Sequence, residues 1–305
     1  MTARVILHWL FLFLALHAGA PAQAATGVQE SLHLPAPGVS AAPLRVRVYL
    51  PPDYAATQAR YEVLYVNDGQ DMEAVGMAAT LERLYARHAI SRIIVVAIDM
   101  PPDRMAGYGL FDRAKGEAIV APTRYGDVGA NAHEYAAWLT QVLVPAIDGR
   151  YRTRADADGR AILGWSLGAL SAFGIGWQYP ELFARVGAFS PSFWVAADRS
   201  DAASVQATRI VHRLVQVSAP RPRPDMFFAV GTEEERDDRD GDGVVDVLDD
   251  TRDLVERLGA RGMAAEGSVL FLLPGGRHEP SAWARMLPAF LLWAHGRRAA
   301  TDPAH

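Results

Sequence analysis

Apolar and polar residues alternate strictly through Leu44-Arg45-Val46-Arg47-Val48-Tyr49-Leu50, a pattern that predicts a half-buried strand at the opening of the mature chain. Pro51-Pro52-Asp53 ends it. Arg92-Ile93-Ile94-Val95-Val96-Ala97-Ile98 shows no alternation, and such a β-branched run predicts a strand covered on both faces. Further strands are predicted at residues 61–66, 160–163, 185–189, 226–230 and 269–273. Helices are predicted at 79–87, 132–147, 169–173, 203–217, 251–258 and 282–295, with Asn131 placed to cap the second. Strands that alternate with helices imply an α/β chain, its mostly parallel central sheet covered by helices on both faces. Residues 102–131 are rich in Gly, Pro, Arg and Tyr, lack periodicity, and predict a long loop over the sheet where substrate contacts often lie. No internal repeat or low-complexity linker divides the chain, so residues 25–305 read as a single domain.

Composition narrows the class. Of the 305 residues 50% are hydrophobic and 21% charged, which suits a globular fold. Arg4, an apolar stretch at 5–16 and the A-x-A site Ala22-Gln23-Ala24 predict a signal peptide over residues 1–24, hence a periplasmic or secreted protein. The apolar stretch is short for a membrane span, which disfavours an uncleaved anchor. There is no cysteine, so disulfides, thiolate metal sites and cysteine nucleophiles are excluded. The net charge of −5 is uneven: residues 233–250 hold ten acids and two arginines, leaving the remainder slightly basic. No basic patch interleaved with aromatics argues for nucleic acid.

Gly164-Trp165-Ser166-Leu167-Gly168 reads as G-x-S-x-G between the strand at 160–163 and the helix at 169–173. That strand–turn–helix setting is what a nucleophile elbow requires, with the serine thrust clear of the backbone and the glycines permitting close approach. A serine hydroxyl needs a base, usually histidine oriented by a carboxylate, in the chain order Ser, acid, His. His278, in Pro274-Gly275-Gly276-Arg277-His278-Glu279 just past the last strand, is the candidate base. His295 and His305 read as surface residues of the closing helix and tail. The acid follows the strand at 226–230, in Gly231-Thr232-Glu233-Glu234-Glu235, where position alone leaves Glu233 and Glu234 open and disfavours Glu235. Two backbone N–H groups should hold the oxyanion: Leu167 after the nucleophile, and Gln70 in the turn Asn67-Asp68-Gly69-Gln70. Trp165, Trp194 and the 102–131 segment are candidates to line a pocket or to fill core.

These segments carry a resemblance. Val63-Leu64-Tyr65-Val66-Asn67-Asp68-Gly69-Gln70, residues 144–153, Gly164 to Leu170, Phe189-Ser190-Pro191-Ser192-Phe193-Trp194 and Gly275-Gly276-Arg277-His278-Glu279 are similar to an esterase family of the α/β-hydrolases. Its members include enterochelin esterase-like proteins, feruloyl and acetyl-xylan esterases and esterase D. The resemblance spans nearly the whole mature chain and implies the α/β-hydrolase fold. It favours Glu234 as the acid, three residues after the glycine ending its strand, and supports Gln70 as second oxyanion donor. The chain departs at Ala169, where many members carry a further glycine.

The acidic stretch fits an EF-hand-type calcium loop over residues 238–249. Carboxylates stand at positions 1, 3, 5, 9 and 12 (Asp238, Asp240, Asp242, Asp246 and Asp249), with Gly243 at 6 and the carbonyl of Val244 at 7. Five converging carboxylates repel without a cation, which predicts a structural Ca²⁺ beside the acid; the alternative is a plain acidic surface loop. No organic cofactor is implied. The sequence thus predicts a secreted serine carboxylic-ester hydrolase with a Ser166–His278–Glu234 triad and an acyl-enzyme, acting on a small-molecule or glycan-linked ester. An acyltransferase on the same scaffold, or a calcium-dependent binding protein without activity, are the alternatives.

Overall fold

The computed structural model describes residues 29–219, 223–263 and 266–297. The predicted signal peptide and His305 lie outside them. Twelve strands are described: β1 Gln29–Leu34, β2 Leu44–Tyr49, β3 Glu62–Val66, β4 Ile93–Ile98, β5 Leu110–Asp112, β6 Glu117–Ile119, β7 Ala121–Thr123, β8 Gly126–Val128, β9 Arg160–Trp165, β10 Arg185–Phe189, β11 Asp225–Gly231 and β12 Val269–Leu273. Eight of them form one sheet in the order β1-β2-β4-β3-β9-β10-β11-β12. β1 and β2 run antiparallel to their neighbours, and the six strands from β4 to β12 are mutually parallel.

Helices cover both faces. α1 (Met77–Ala86) and the closing α9 (Pro280–His295, numbered in chain order) pack on one side through Leu81, Leu84, Met286, Leu287 and Phe290. The other side carries α3 (Ala132–Trp138), α4 (Val144–Arg150), α5 (Leu167–Gln178), α7 (Ile210–Val217) and α8 (Asp246–Ala260). The short helices α2 (Arg104–Gly107) and α6 (Ala202–Thr208) complete the set. All six residues of β4 and all twelve of α5 are buried, as apolar runs without a polar face must be. The arrangement is the α/β-hydrolase type expected from the sequence.

Several local expectations are corrected. β1 precedes the strand read as the opening one; its residues alternate only between exposed and half-buried, so it lacks a strong apolar signal. The helix expected at 132–147 opens into a π-helical turn at Leu139–Leu143 just before Pro145, whose missing N–H cannot close an ordinary turn. Asn131 makes no side-chain cap there; its carbonyl instead accepts from the Tyr135 amide. The helix expected at 203–217 breaks at Arg209 (φ −53°, ψ 117°), which turns its guanidinium inward to Asp250. The helix expected at 251–258 begins at Asp246, where Asp246 and Asp249 favour the positive end of its dipole. Residues 102–131 are no structureless loop but α2 and two hairpins, β5–β6 and β7–β8, anchored by buried Tyr108, Leu110, Phe111 and Val128.

Asp250 is fully buried and accepts from both Arg209 and Arg239, while Arg209 also reaches Asp253 at 2.6 Å. Asp250→Ala leaves the buried Arg209 with one carboxylate. Uncompensated buried charge typically costs about 3–5 kcal/mol, and the lower end, about 3 kcal/mol, is expected in chemical denaturation. Asp253→Ala, at a half-exposed partner, should cost no more than about 1 kcal/mol.

Candidate active site

Ser166 sits between β9 and α5 at φ 56° and ψ −127°, outside the regions that an L-residue occupies comfortably. The close crossing that forces this angle depends on two glycines. A Cβ on Gly164 would lie 2.2 Å from the Gly168 carbonyl oxygen, and one on Gly168 would lie 2.4 Å from an Asp68 carboxylate oxygen. Ala169, the position noted above as a departure, is fully buried.

His278, in the loop between β12 and α9, places Nε2 3.0 Å from Ser166 Oγ and Nδ1 2.9 Å from Glu234 Oε2. The Glu234 side chain is fully buried. Its other oxygen, Oε1, accepts from Ser190 Oγ–H at 2.6 Å and from the Gly231 amide at 2.7 Å. Glu233 instead faces solvent near Arg277, at 3.8 Å. Glu235 lies 3.8 Å from His278 Nδ1; burial, partly offset by the His278 charge, holds its carboxyl above the usual carboxylate range. With Nδ1–H directed at Glu234, Nε2 presents its lone pair to the serine hydroxyl. That tautomer is the one a general base requires.

The two amides expected to hold the oxyanion follow the neighbouring strands β3 and β9. Leu167 is the first residue of α5, and Gln70 lies in the turn Gly69–Asp71 after β3. Among the described residues neither amide has a hydrogen-bond acceptor, so both remain available to an oxyanion. The turn is held against the elbow by groups the sequence reading did not single out. Asn67 Nδ2 donates to the Gly168 carbonyl at 2.8 Å, and Tyr135 Oη donates to Asn67 Oδ1 at 2.7 Å. Arg104 grips the buried Asp68 carboxylate with two bonds, 2.9 and 2.8 Å, and Tyr108 Oη accepts from the Asp68 amide at 3.0 Å. On the acid side, Trp283 Nε1 donates to Ser190 Oγ at 2.9 Å, fixing the hydroxyl that Glu234 receives. Trp165, a candidate for the pocket lining, is core: its ring stacks on Trp283 at 5.4 Å and its Nε1 donates to Asp71. His295, read as a surface residue, is buried and hydrogen-bonds Glu62 through Nδ1 at 2.6 Å.

The acidic loop partly gathers. Asp238, Asp240 and Asp242 bring carboxylate oxygens within 4.8 Å of one another. The Asp238 carboxylate accepts from the Gly241 and Gly243 amides at 2.9 and 3.0 Å, and Gly243 has φ 88°, which glycine alone adopts easily. Asp246 is turned away: it accepts from the Arg239 amide at 3.0 Å and pairs with its guanidinium at 3.3 Å. The Asp249 carboxyl is held above its ordinary range by burial and by repulsion from Asp242, Asp253 and Asp240. Clustered, mutually repelling oxygen donors are the chemistry a hard divalent cation satisfies. Asp238, Asp240 and Asp242 fit that demand, Asp249 adjoins them, and Asp246 would have to release Arg239.

Comparison with known proteins bears on family and fold. The model of the family described as "Putative esterase" matches residues 41–294. A Bacillus subtilis (strain 168) chain, "Uncharacterized protein YbbA", is 22% identical over 258 residues, 84% of this chain and 94% of its own. A solved IroE-like serine hydrolase from Shewanella oneidensis superposes with a TM-score of 0.65 at 20% identity, covering 87% of this chain and 79% of its own. A ferulic acid esterase superposes with a TM-score of 0.64 at 18% identity, covering 88% and 96%. No described helix is long and apolar enough to cross a membrane. The chain belongs to the family described as "Putative esterase", and it is a carboxylic ester hydrolase of the α/β-hydrolase fold.

Proposed function

We propose that the chain is a secreted serine esterase in which Ser166 is the nucleophile, His278 the general base and Glu234 the residue that orients it. The relay of 3.0 and 2.9 Å from Ser166 through His278 to Glu234 is the observation that carries this reading. In it, His278 Nε2 takes the hydroxyl proton as Ser166 Oγ attacks the acyl carbon. The oxyanion settles on the Leu167 and Gln70 amides, and each such donor typically contributes roughly 3 kcal/mol of transition-state stabilisation. His278 then protonates the departing alcohol and leaves an acyl-enzyme. Water, deprotonated by the same nitrogen, releases the acid and restores the serine. A fluorophosphonate should label Ser166 one-to-one and abolish hydrolysis of simple phenyl esters. Absence of labelling at Ser166 would sink the reading. Neighbours named as ferulic acid and enterobactin esterases make feruloyl and siderophore esters natural members of a substrate panel. Export rests on the leader at residues 1–24 and is tested by the N-terminus of the protein recovered from the host's periplasm or medium.

Calcium is proposed as a structural ligand of the 238–249 loop, held by Asp238, Asp240, Asp242 and Asp249. When bound it would neutralise the crowded carboxylates, and it takes no part in acyl transfer. Calcium at a hundredfold excess over its Kd should stabilise the fold by about 2.7 kcal/mol, an increment lost on chelation and absent in Asp240→Ala. Chelation that left both melting temperature and esterase rate untouched would overturn this.

A further inference from the structure

A cavity of about 600 Å³ has Glu235 and Trp194 on its wall. Glu235 is the link to the chemistry, 3.8 Å from His278 Nδ1. The remaining wall is unusually charged, and its charges are not equally occupied. Two of the carboxylates are paired with arginines: Asp237 with Arg124 at 3.0 Å, and Asp246 with Arg239 at 3.3 Å. Asp201 accepts from the Ser204 amide at 2.7 Å, and Asp238 accepts from the Gly241 and Gly243 amides. Burial holds the Glu235 carboxyl above the usual carboxylate range. The guanidiniums divide differently. Arg124 and Arg239 are held by those acids, whereas among the described residues Arg199 and Arg236 have no carboxylate at ion-pair distance. Arg199 lies over the face of Trp194, 5.7 Å from its ring centre. An aromatic wall and two guanidiniums with free donors form a cradle for a planar anion.

We propose that this cavity is an anion subsite, so that the preferred esters carry a carboxylate placed to reach Arg199 and Arg236 while the ester carbonyl meets Ser166. The proposal rests on the reading of Ser166 as an esterase nucleophile and names its substrate class. Only an additional anionic group distinguishes such esters from neutral ones, so the subsite acts on kcat/KM for charged substrates and leaves the acyl-transfer machinery alone.

Two matched pairs of rigid esters separate the side on which the anion sits. 4-Acetoxybenzoate against 4-acetoxybenzamide carries it on the alcohol; mono-4-nitrophenyl terephthalate against 4-nitrophenyl 4-carbamoylbenzoate carries it on the acyl group. In at least one pair the anionic ester should be preferred about tenfold in kcat/KM, an advantage eroded by 0.5 M salt. The double substitution Arg199→Gln with Arg236→Gln should bring that ratio to within about twofold of unity, with phenyl acetate hydrolysis unchanged. No anionic preference in either pair, or a preference that survives the double substitution, overturns the subsite. Failure of the esterase reading is a distinct outcome: no phenyl acetate hydrolysis and no labelling of Ser166. The subsite is then judged by calorimetry on Ser166→Ala, where binding of benzoate over benzamide sustains it and equal or absent binding overturns it.

Discussion

Ser166→Gly is expected to remove ester hydrolysis by roughly 10⁵–10⁶ in kcat, the scale on which loss of a triad nucleophile acts, and yet to yield a more stable protein than Ser166→Ala. Both variants lose the hydroxyl and its 3.0 Å bond to His278, so activity should fall equally. They differ in the backbone. At φ 56° and ψ −127° a Cβ is strained, and such angles typically cost about 1–3 kcal/mol in residues other than glycine. Glycine relieves this strain but gains freedom in the unfolded chain worth about 0.5–1 kcal/mol. The remainder favours Ser166→Gly by about 1 kcal/mol, a rise of about 2–4 °C in melting temperature over Ser166→Ala. Hydrolysis within about a hundredfold of the parent in either variant would remove Ser166 from the chemistry. A lower melting temperature for the glycine variant would show that the elbow is not held under strain.

Glu234→Gln should lower kcat about 10⁴-fold while leaving KM nearly unchanged. The size follows from the hydrogen bonds around the carboxylate. Ser190 Oγ–H and the Gly231 amide both donate to Oε1, so a glutamine must put its carbonyl oxygen there. Its NH₂ then points at His278 Nδ1, which must accept. The imidazole is thereby forced to carry its proton on Nε2, facing Ser166, and cannot take another without becoming a cation. Glu233→Gln, at an exposed side chain 3.8 Å from Arg277, should stay within about twofold of the parent. Steady-state kinetics on one phenyl ester decides between the two: a crippled Glu233→Gln beside an active Glu234→Gln would reverse the assignment of the acid. Glu234→Ala adds a stability loss of about 1–3 kcal/mol, because it leaves the buried Ser190 and Gly231 donors without an acceptor.

Much of the framework was legible in order of residues alone. The all-apolar run at 92–98 and the alternation at 44–50 mark strands β4 and β2 because side-chain period and burial are local properties of a strand. The elbow is legible for the same reason: the crossing of β9 and α5 needs small residues at two fixed offsets from Ser166. Where several signals compete within one stretch, legibility falls. Arg209 breaks a helix whose own composition would continue it, because Asp250, 41 residues away, draws its guanidinium inward. Residues 102–131 fold into hairpins for a similar reason. Tyr108 and Phe111 find buried partners only once α3 and α5 are in place.

By itself the sequence determined the alternation of strands and helices, the elbow at Ser166, and the short list of bases and acids able to follow it in chain order. These depend on spacing within a few residues, and spacing is covalent. Tertiary structure set Glu234, which the resemblance had favoured over its neighbours, against His278, and alone decided which tryptophan is core and which lines a cavity, and that Asp246 answers to Arg239. It also supplied the supports at Arg104, Tyr135, Ser190 and Trp283. Most of those choices join residues distant in the chain, such as Asp68 with Arg104, Ser190 with Glu234 and Asn67 with Gly168, which are 36, 44 and 101 positions apart. Their geometry comes from the order and register of strands in the sheet, which no local pattern encodes.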